Sequence, residues 1–360
     1  MRKPPVRLFG VAALTLALSM VLAACGGSSG GGTPPAKVIK VGLVTDTGGL
    51  NDKSFNHLAA LGLSKAAKTG NICSSLTCVG ELGVQGDVTE SHANSEYVPN
   101  LTNYATRGYD LVIGVGFLMA ESIGTVSGNF PNIHFAIIDG VGTDSKGTDL
   151  KHANVVGLLF KEQEAGALVG TIAGVLEKDN AGAKKKNTIG SIGGIKIPPV
   201  DHYIAGYQWA AKQVNPTIKT LNGYSNNFSD PTKCAGIAAN QINSGGADIL
   251  FQVAGGCGNG VLTEAGKDGV WSIGVDADQK DVDKSVIASA LKRVDVATYD
   301  AIKDVKNNAF KSGVVLFGLA NDGVGYQADN LTLPADVMTA LTDMISKIKS
   351  GAVTVPDTVP

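Results

Sequence analysis

Carboxylates and glycines recur in this chain wherever apolar runs stop. The stretch Asp46-Thr47-Gly48-Gly49-Leu50-Asn51-Asp52-Lys53-Ser54-Phe55-Asn56 follows an apolar run over 38–44 and precedes an Ala- and Leu-rich helical pattern. In an open parallel sheet, ligands sit outside the carboxyl ends of the strands, so such a loop lies at a mouth. Phe55 stands just inside the helix, behind the candidate caps Asn51, Asp52 and Ser54, where packing alone would place an aromatic a turn later. Comparable polar or glycine-rich loops close later runs at 114–117, at Asp139, at 193–199, at 226–230, at 255–260 and at 276–279. Strand-end carboxylates can accept hydrogen bonds from a ligand or work as an acid and base pair. No histidine or thiolate accompanies them in a triad order. The phosphate-cradling pattern ending in Gly-Lys-Ser/Thr and the His-Glu-x-x-His zinc motif are both missing from the sequence. A Gly-x-Ser-x-Gly match at 26–30 has no strand or helix around it. Gly255-Gly256-Cys257-Gly258-Asn259-Gly260 does not fit the dinucleotide spacing and reads as a strand-to-helix turn where bare backbone approaches a ligand. The chemistry on offer is binding rather than catalysis, with no cofactor or metal expected.

Repeated βα units must position these loops. Periodicity predicts strands over 39–45, 79–84, 111–115, 134–138 and 155–160, and helices over 54–68, 92–107, 119–129 and 162–177. A lysine-rich interruption over 178–187 separates them from a second series. That series has strands at 188–193, 218–224, 249–254 and 271–276, with helices at 200–213, 231–244 and 259–268. A strand at 286–291, a helix at 296–311, a strand at 314–319 and a helix at 334–349 close the chain. Alternating βα units specify parallel sheets with right-handed crossovers, so two α/β lobes are expected.

The 360 residues suffice for two full cores, and 30 basic against 32 acidic side chains give no polyanion-binding bias, so nucleic acid is not expected as a partner. Residues 1–24 have the form of a signal peptide: Arg2, Lys3 and Arg7, an apolar run over 8–22, then small residues. Leu22-Ala23-Ala24-Cys25 resembles a bacterial lipobox, which would make Cys25 a lipidated N-terminus. Residues 25–36 then form a Gly/Ser tether. The remaining cysteines are Cys73, Cys78, Cys234 and Cys257, and an even number in an oxidising compartment favours two disulfides over metal ligation. Cys73 with Cys78 closes a small loop, leaving Cys234 with Cys257. The five histidines show no ligand spacing around them.

Asp46-Thr47-Gly48-Gly49 with Asn51-Asp52-Lys53-Ser54-Phe55-Asn56, Gly114-Val115-Gly116-Phe117, Phe135-Ala136-Ile137-Ile138-Asp139-Gly140, Lys161-Glu162-Gln163-Glu164, Ala254-Gly255-Gly256 and Gly274-Val275-Asp276-Ala277-Asp278-Gln279 occur in one order. Together they resemble the basic membrane protein family of lipoproteins, which includes purine nucleoside receptors that deliver ligand to ABC transporters. The resemblance runs from about residue 40 to about residue 326. It implies a type I periplasmic-binding-protein fold of two doubly wound parallel-sheet lobes joined by a three-segment hinge. An N lobe would comprise 37–158 with 284–313, and a C lobe 159–283 with 314–350. The implied partners are a purine nucleoside and the permease subunits of an ABC importer. The implied location is the extracytoplasmic face of the cell membrane, held by the lipid.

A purine offers two flat faces and an edge of donors and acceptors, so it suits aromatic partners above and below with a carboxylate or amide in its plane. On the resemblance, Phe55 supplies one face and Phe228 the other, with Tyr203 in reserve or as a wall. Asp276 and Lys292 meet the sugar hydroxyls, with the N–H of Gly255 or Gly256 as a third contact. Asp46 and Asn56 face the cleft from the N lobe, or cap the helix beginning at Ser54. Where the family usually carries aspartate in the helix after Gly-x-Gly-Phe, this chain has Glu121. That acceptor reaches one methylene further, which leaves the preferred base open. A sugar receptor or a surface sensor or adhesion module on the same fold are the alternatives.

Overall fold

The computed structural model describes residues 37–179, 184–328 and 330–359. Residues 1–36, read above as a signal peptide, a lipidated Cys25 and a tether, lie outside the described residues. The strands are β1 (Lys40–Val44), β2 (Ala67–Thr69), β3 (Val84–Thr89), β4 (Leu111–Val115), β5 (His134–Ile138), β6 (Val155–Phe160), β7 (Thr188–Gly193), β8 (Lys219–Tyr224), β9 (Ile249–Val253), β10 (Trp271–Asp276), β11 (Val286–Lys292), β12 (Gly313–Phe317) and β13 (Val324–Gln327). The helices are α1 (Phe55–Ala66), α2 (Ile72–Ser75), α3 (Tyr97–Thr106), α4 (Ala120–Asn129), α5 (Glu162–Lys178), α6 (Pro198–Val214), α7 (Pro231–Asn243), α8 (Gly255–Lys267), α9 (Val294–Lys306) and α10 (Ala335–Lys349).

Two sheets result, ordered β12-β6-β5-β4-β1-β3-β2 and β13-β11-β10-β9-β7-β8. All pairings are parallel except β11 with β13. Central strands such as β4 and β9 are buried along their whole length, as strands covered by helices on both faces must be. Helices start where sequence chemistry provides for it. Asp230 caps α7 by accepting from Thr232 N at 3.0 Å, with Pro231 at its first turn.

The chain crosses between lobes at Phe160–Glu162, Lys292–Val294 and Phe317–Leu319. This corrects the expected lobe boundaries in two places. Strand β11, expected in the N lobe as part of 284–313, pairs with β10 in the second sheet. Strand β12, whose residues 314–317 were expected in the C lobe, pairs with β6 in the first sheet. Periodicity marks a strand but not its hydrogen-bond partner, so the crossing falls after β11 rather than before it. The expected strand over 79–84 lies instead at Val84–Thr89, where Val84 and Val88 alternate with Gln85, Asp87 and Thr89.

The first turn of α5 ties the crossings together. Glu162 Oε1 accepts from Lys292 Nζ at 2.8 Å, and Glu164 Oε2 accepts from Leu319 N at 2.7 Å. Helices α5 and α6 approach closely because small residues face the contact. A Cβ added at Gly166 would fall 2.2 Å from Tyr203 O, and one at Gly170 would fall 2.2 Å from Tyr207 O. That close approach seats Tyr203 beside the cleft. Disulfides join Cys73 to Cys78 and Cys234 to Cys257, the second linking α7 to α8.

Candidate functional site

The strand ends converge on one cavity between the lobes, about 570 Å³ with its open side included. Asp46 follows β1, Asp139 follows β5, and Asp276 ends β10, so each stands at the carboxyl end of a parallel strand. Asp139 and Asp276 have φ of 66° and 61°, a left-handed conformation that costs an L-residue energy and clusters at functional sites.

Asp52, rather than Asp46, caps α1. It accepts from Ser54 N at 2.9 Å, Asn56 N at 2.8 Å and His57 N at 3.1 Å. Asp46 accepts from Gly48 N at 2.8 Å and from Asn56 Nδ2 at 2.7 Å, while its own N donates to Asn56 Oδ1 at 3.2 Å. Asn56 thus orients Asp46, which remains on the cavity wall.

Phe55, the first residue of α1, and Phe228, from the β8–α7 loop, line the cavity from opposite lobes and are half-buried. The Phe228 ring needs Gly194 beneath it, since a Cβ there would fall 2.3 Å from the ring. Its loop is pinned by Asn227 Oδ1, which accepts from Ser229 N at 2.8 Å and Asp230 N at 2.6 Å, and by Cys257 N donating to Phe228 O at 2.9 Å. Gly255 lines the cavity with φ of 54°.

Lys292, 1% exposed, stands at the hinge with Nζ 2.6 Å from the Asp139 carboxylate and 2.8 Å from Glu162 Oε1. Its ammonium also lies 5.1 Å from the Phe55 ring centre and 4.8 Å from that of Phe160. Tyr203 OH donates to Asp276 Oδ1 at 3.0 Å, and Ser54 Oγ donates to Asp276 Oδ2 at 2.9 Å across the cleft. Two further cross-cleft bonds, Asn259 Nδ2 to Asp52 O and Gln279 Nε2 to Lys53 O, are both 3.4 Å. The two lobes therefore touch around the cavity.

Among families of known proteins, one described as ABC transporter substrate-binding protein PnrA-like matches residues 39–359. The chain belongs to this family. A PnrA-like protein of this kind takes a small-molecule ligand and works with the permease of its transporter. Among its relatives, the "CD4+ T-cell-stimulating antigen" of Listeria innocua is 34% identical over 375 aligned positions, covering 98% of this chain and 99% of that protein. The "ABC transporter nucleoside-binding protein BmpA" of Lactococcus lactis subsp. cremoris is 33% identical over 372 positions, covering 97% and 99%. A crystal structure of an ABC transporter system solute-binding protein from Aeropyrum pernix superposes with a TM-score of 0.76 at 29% identity, covering 88% of this chain and 94% of that one. The solute-binding-protein fold read from the sequence is thereby established. No helix among the described residues is long and apolar enough to cross a membrane.

Of the residues singled out from sequence, Asp46, Phe55, Asn56, Tyr203, Phe228, Gly255, Asp276 and Lys292 line the PnrA-like cavity. Glu121 does not: it is exposed on the first turn of α4 and lines a neighbouring groove. Gly256 is also off the wall, where a Cβ would meet Phe228 O at 3.3 Å. Asp52, one of the three candidate caps, takes that role, whereas sequence reasoning placed Asp139 only at a strand end and gave no role to Glu162. Asp139 was detectable, because it follows an apolar strand as Asp276 does in the other lobe.

The electrostatics of the PnrA-like site follow from burial. Asp46 is pushed up to about 6 by desolvation, which the Gly48 N–H and the Asn56 amide only partly offset. Desolvation likewise raises Asp276 and Asp139, against the pull of Lys292. Burial would raise Glu162 too, but Lys292 and His202 hold it low. Desolvation would depress Lys292, yet the surrounding carboxylates keep it above its usual value. A native carboxyl raised above its unfolded value binds more protons than the unfolded chain does, so stability falls as pH rises through the window between the two. For Asp46, moving from 3.8 to about 6 corresponds to on the order of 3 kcal/mol. Asp139 and Asp276 act in the same direction, whereas the depressed Glu162 acts only below that window. Ligand-free protein is therefore expected to melt at a higher temperature at pH 5 than at pH 7. Asp46→Asn should shrink the difference. Melting curves showing the same pH 5 to pH 7 difference in both proteins would refute the assignment.

Proposed function

We propose that this protein captures a purine nucleoside between its lobes and delivers it to an ABC importer, held at the cell surface through a lipid on Cys25. The observation that carries this reading is the pair of phenyl rings, Phe55 and Phe228, reaching one cavity from opposite lobes. A planar base between two rings gains stacking on both faces, and the ligand then bridges the lobes and favours closure. Asp46, ionised at neutral pH, accepts N–H groups on the edge of the base in place of the displaced Glu121. Asp276 and Lys292 together offer an acceptor and a donor to the neighbouring ribose hydroxyls. The nucleoside-binding description of the Lactococcus relative supports the same class.

Calorimetry of the intact protein against inosine, guanosine, adenosine, uridine, hypoxanthine and free ribose tests this directly. Purine nucleosides should bind, with free base and free ribose each weaker by at least about tenfold, because each forfeits one half of the contacts. Heat with ribose but none with any nucleoside would overturn the reading. Radiolabelled nucleoside uptake by cells lacking the gene tests delivery, and undiminished uptake counts against it.

A further inference from the structure

A second compartment adjoins the proposed nucleoside chamber. It is a wider groove, about 1,500 Å³ with its open side included, bounded by the start of α4 and the β5–β6 loop in one lobe and by the start of α6 in the other. Phe117, Leu118, Asp139 and Pro199 line both spaces, so the groove and the chamber adjoin along these residues. Its wall continues in apolar side chains, among them Val141 and Leu159. Gln163 also lines it, and its Oε1 is buried with no hydrogen-bond partner among the described residues. A predominantly apolar compartment beside an unpartnered buried acceptor suits part of a ligand better than it suits water.

We propose that the ligands of this protein include nucleosides carrying an apolar substituent on the 5′ carbon, such as 5′-deoxy-5′-alkylthio nucleosides, with that substituent in the groove. This rests on the nucleoside reading above. In that reading Asp276 and Lys292 hold the neighbouring ring hydroxyls, which leaves the 5′ carbon as the free arm of the ribose. Asp139, bound to Lys292, lines both spaces, and the arm would pass beside it. A 5′ thioether brings no charge, so it adds no desolvation penalty beside the Asp139 carboxylate. Its alkyl chain covers the apolar wall.

The test is calorimetry of the intact protein with matched series on adenosine and inosine: the parent nucleoside, its 5′-deoxy-5′-methylthio form, its 5′-deoxy-5′-butylthio form, and an isomer with the butyl group on the base edge. Full burial of a methylene strengthens binding about fourfold and half burial about twofold, so three half-buried methylenes should make the butylthio form about eightfold tighter than the methylthio form. The base-edge isomer should show no such gain. Val141→Trp, which fills the groove without touching the chamber, should remove the gain and leave the parent nucleoside's affinity unchanged. Ala120→Trp fills the same groove from α4 and replaces it should the first variant misfold, and the wild-type series decides by itself if both do. Parent nucleosides that bind while the butylthio forms bind more weakly would overturn the groove assignment and leave the nucleoside reading standing. A gain confined to the base-edge isomer would do the same. No binding by any member of either series would overturn both.

Discussion

Replacing Lys292 with Met is expected to destabilise the protein by about 3–5 kcal/mol, the cost of removing one partner from a buried ion cluster. Its ammonium is within 2.8 Å of the Asp139 and Glu162 carboxylates, and all three side chains are nearly inaccessible to water. Without the cation, Asp139, Glu162 and Asp276 face one another in a medium that screens them poorly, and they must take up protons or draw in water. Two consequences separate this from simple loss of packing. The deficit should shrink as pH is lowered from 7 to 5, because protonation relieves the uncompensated carboxylates. It should also shrink when Glu162→Gln is combined with Lys292→Met, since one stranded charge is then gone. Urea denaturation at both pH values provides the measurement. A loss below 1 kcal/mol, or a loss independent of pH, would show that the cluster does not carry the hinge in the way its distances indicate. Nucleoside affinity should fall in the same variant, because the ammonium is also the proposed donor to the sugar.

Phe55→Ala and Phe228→Ala are each expected to weaken purine nucleoside binding by roughly 10- to 100-fold, the 1–3 kcal/mol that base–aromatic stacking supplies per base. Both rings are only half-buried, so folding stability should drop less than for a core phenylalanine. Phe55→Leu separates stacking from bulk. It keeps an apolar side chain at the start of α1 but offers no flat face, and it should recover stability more than affinity. The double alanine variant should lose less than the sum of the single losses, since a base held on one side alone no longer draws the lobes together. Calorimetry with the tightest nucleoside, run beside thermal melts, measures both quantities. Single losses under about threefold would remove the clamp while leaving the family assignment untouched.

The fold was legible to the extent that local periodicity determines it. Repeated βα units dictate parallel sheets, and parallel sheets put strand-end loops at a common mouth, which is why Asp46, Phe55, Phe228 and Asp276 reach one cavity from strand ends or the loops and helix starts just beyond them. Glu121 shows the limit of this reading. A helix turns about 100° per residue, so a carboxylate near the start of α4 can face the chamber or the flanking groove, and packing of α4 against its lobe chose the groove.

The two βα series, the residues at the strand ends and the ordered motifs that mark the family can be read from the chain's local order, because each depends on neighbours a few positions apart. Only the folded chain places β11 and β12 in opposite sheets, selects Asp52 from the three candidate caps and leaves Asp46 for the cavity, and brings Lys292 to Asp139 and Glu162 from 153 and 130 residues away. Those outcomes follow from which strand edge is left to pair and which buried charge is left to neutralise. Neither is defined until both lobes have assembled around the hinge.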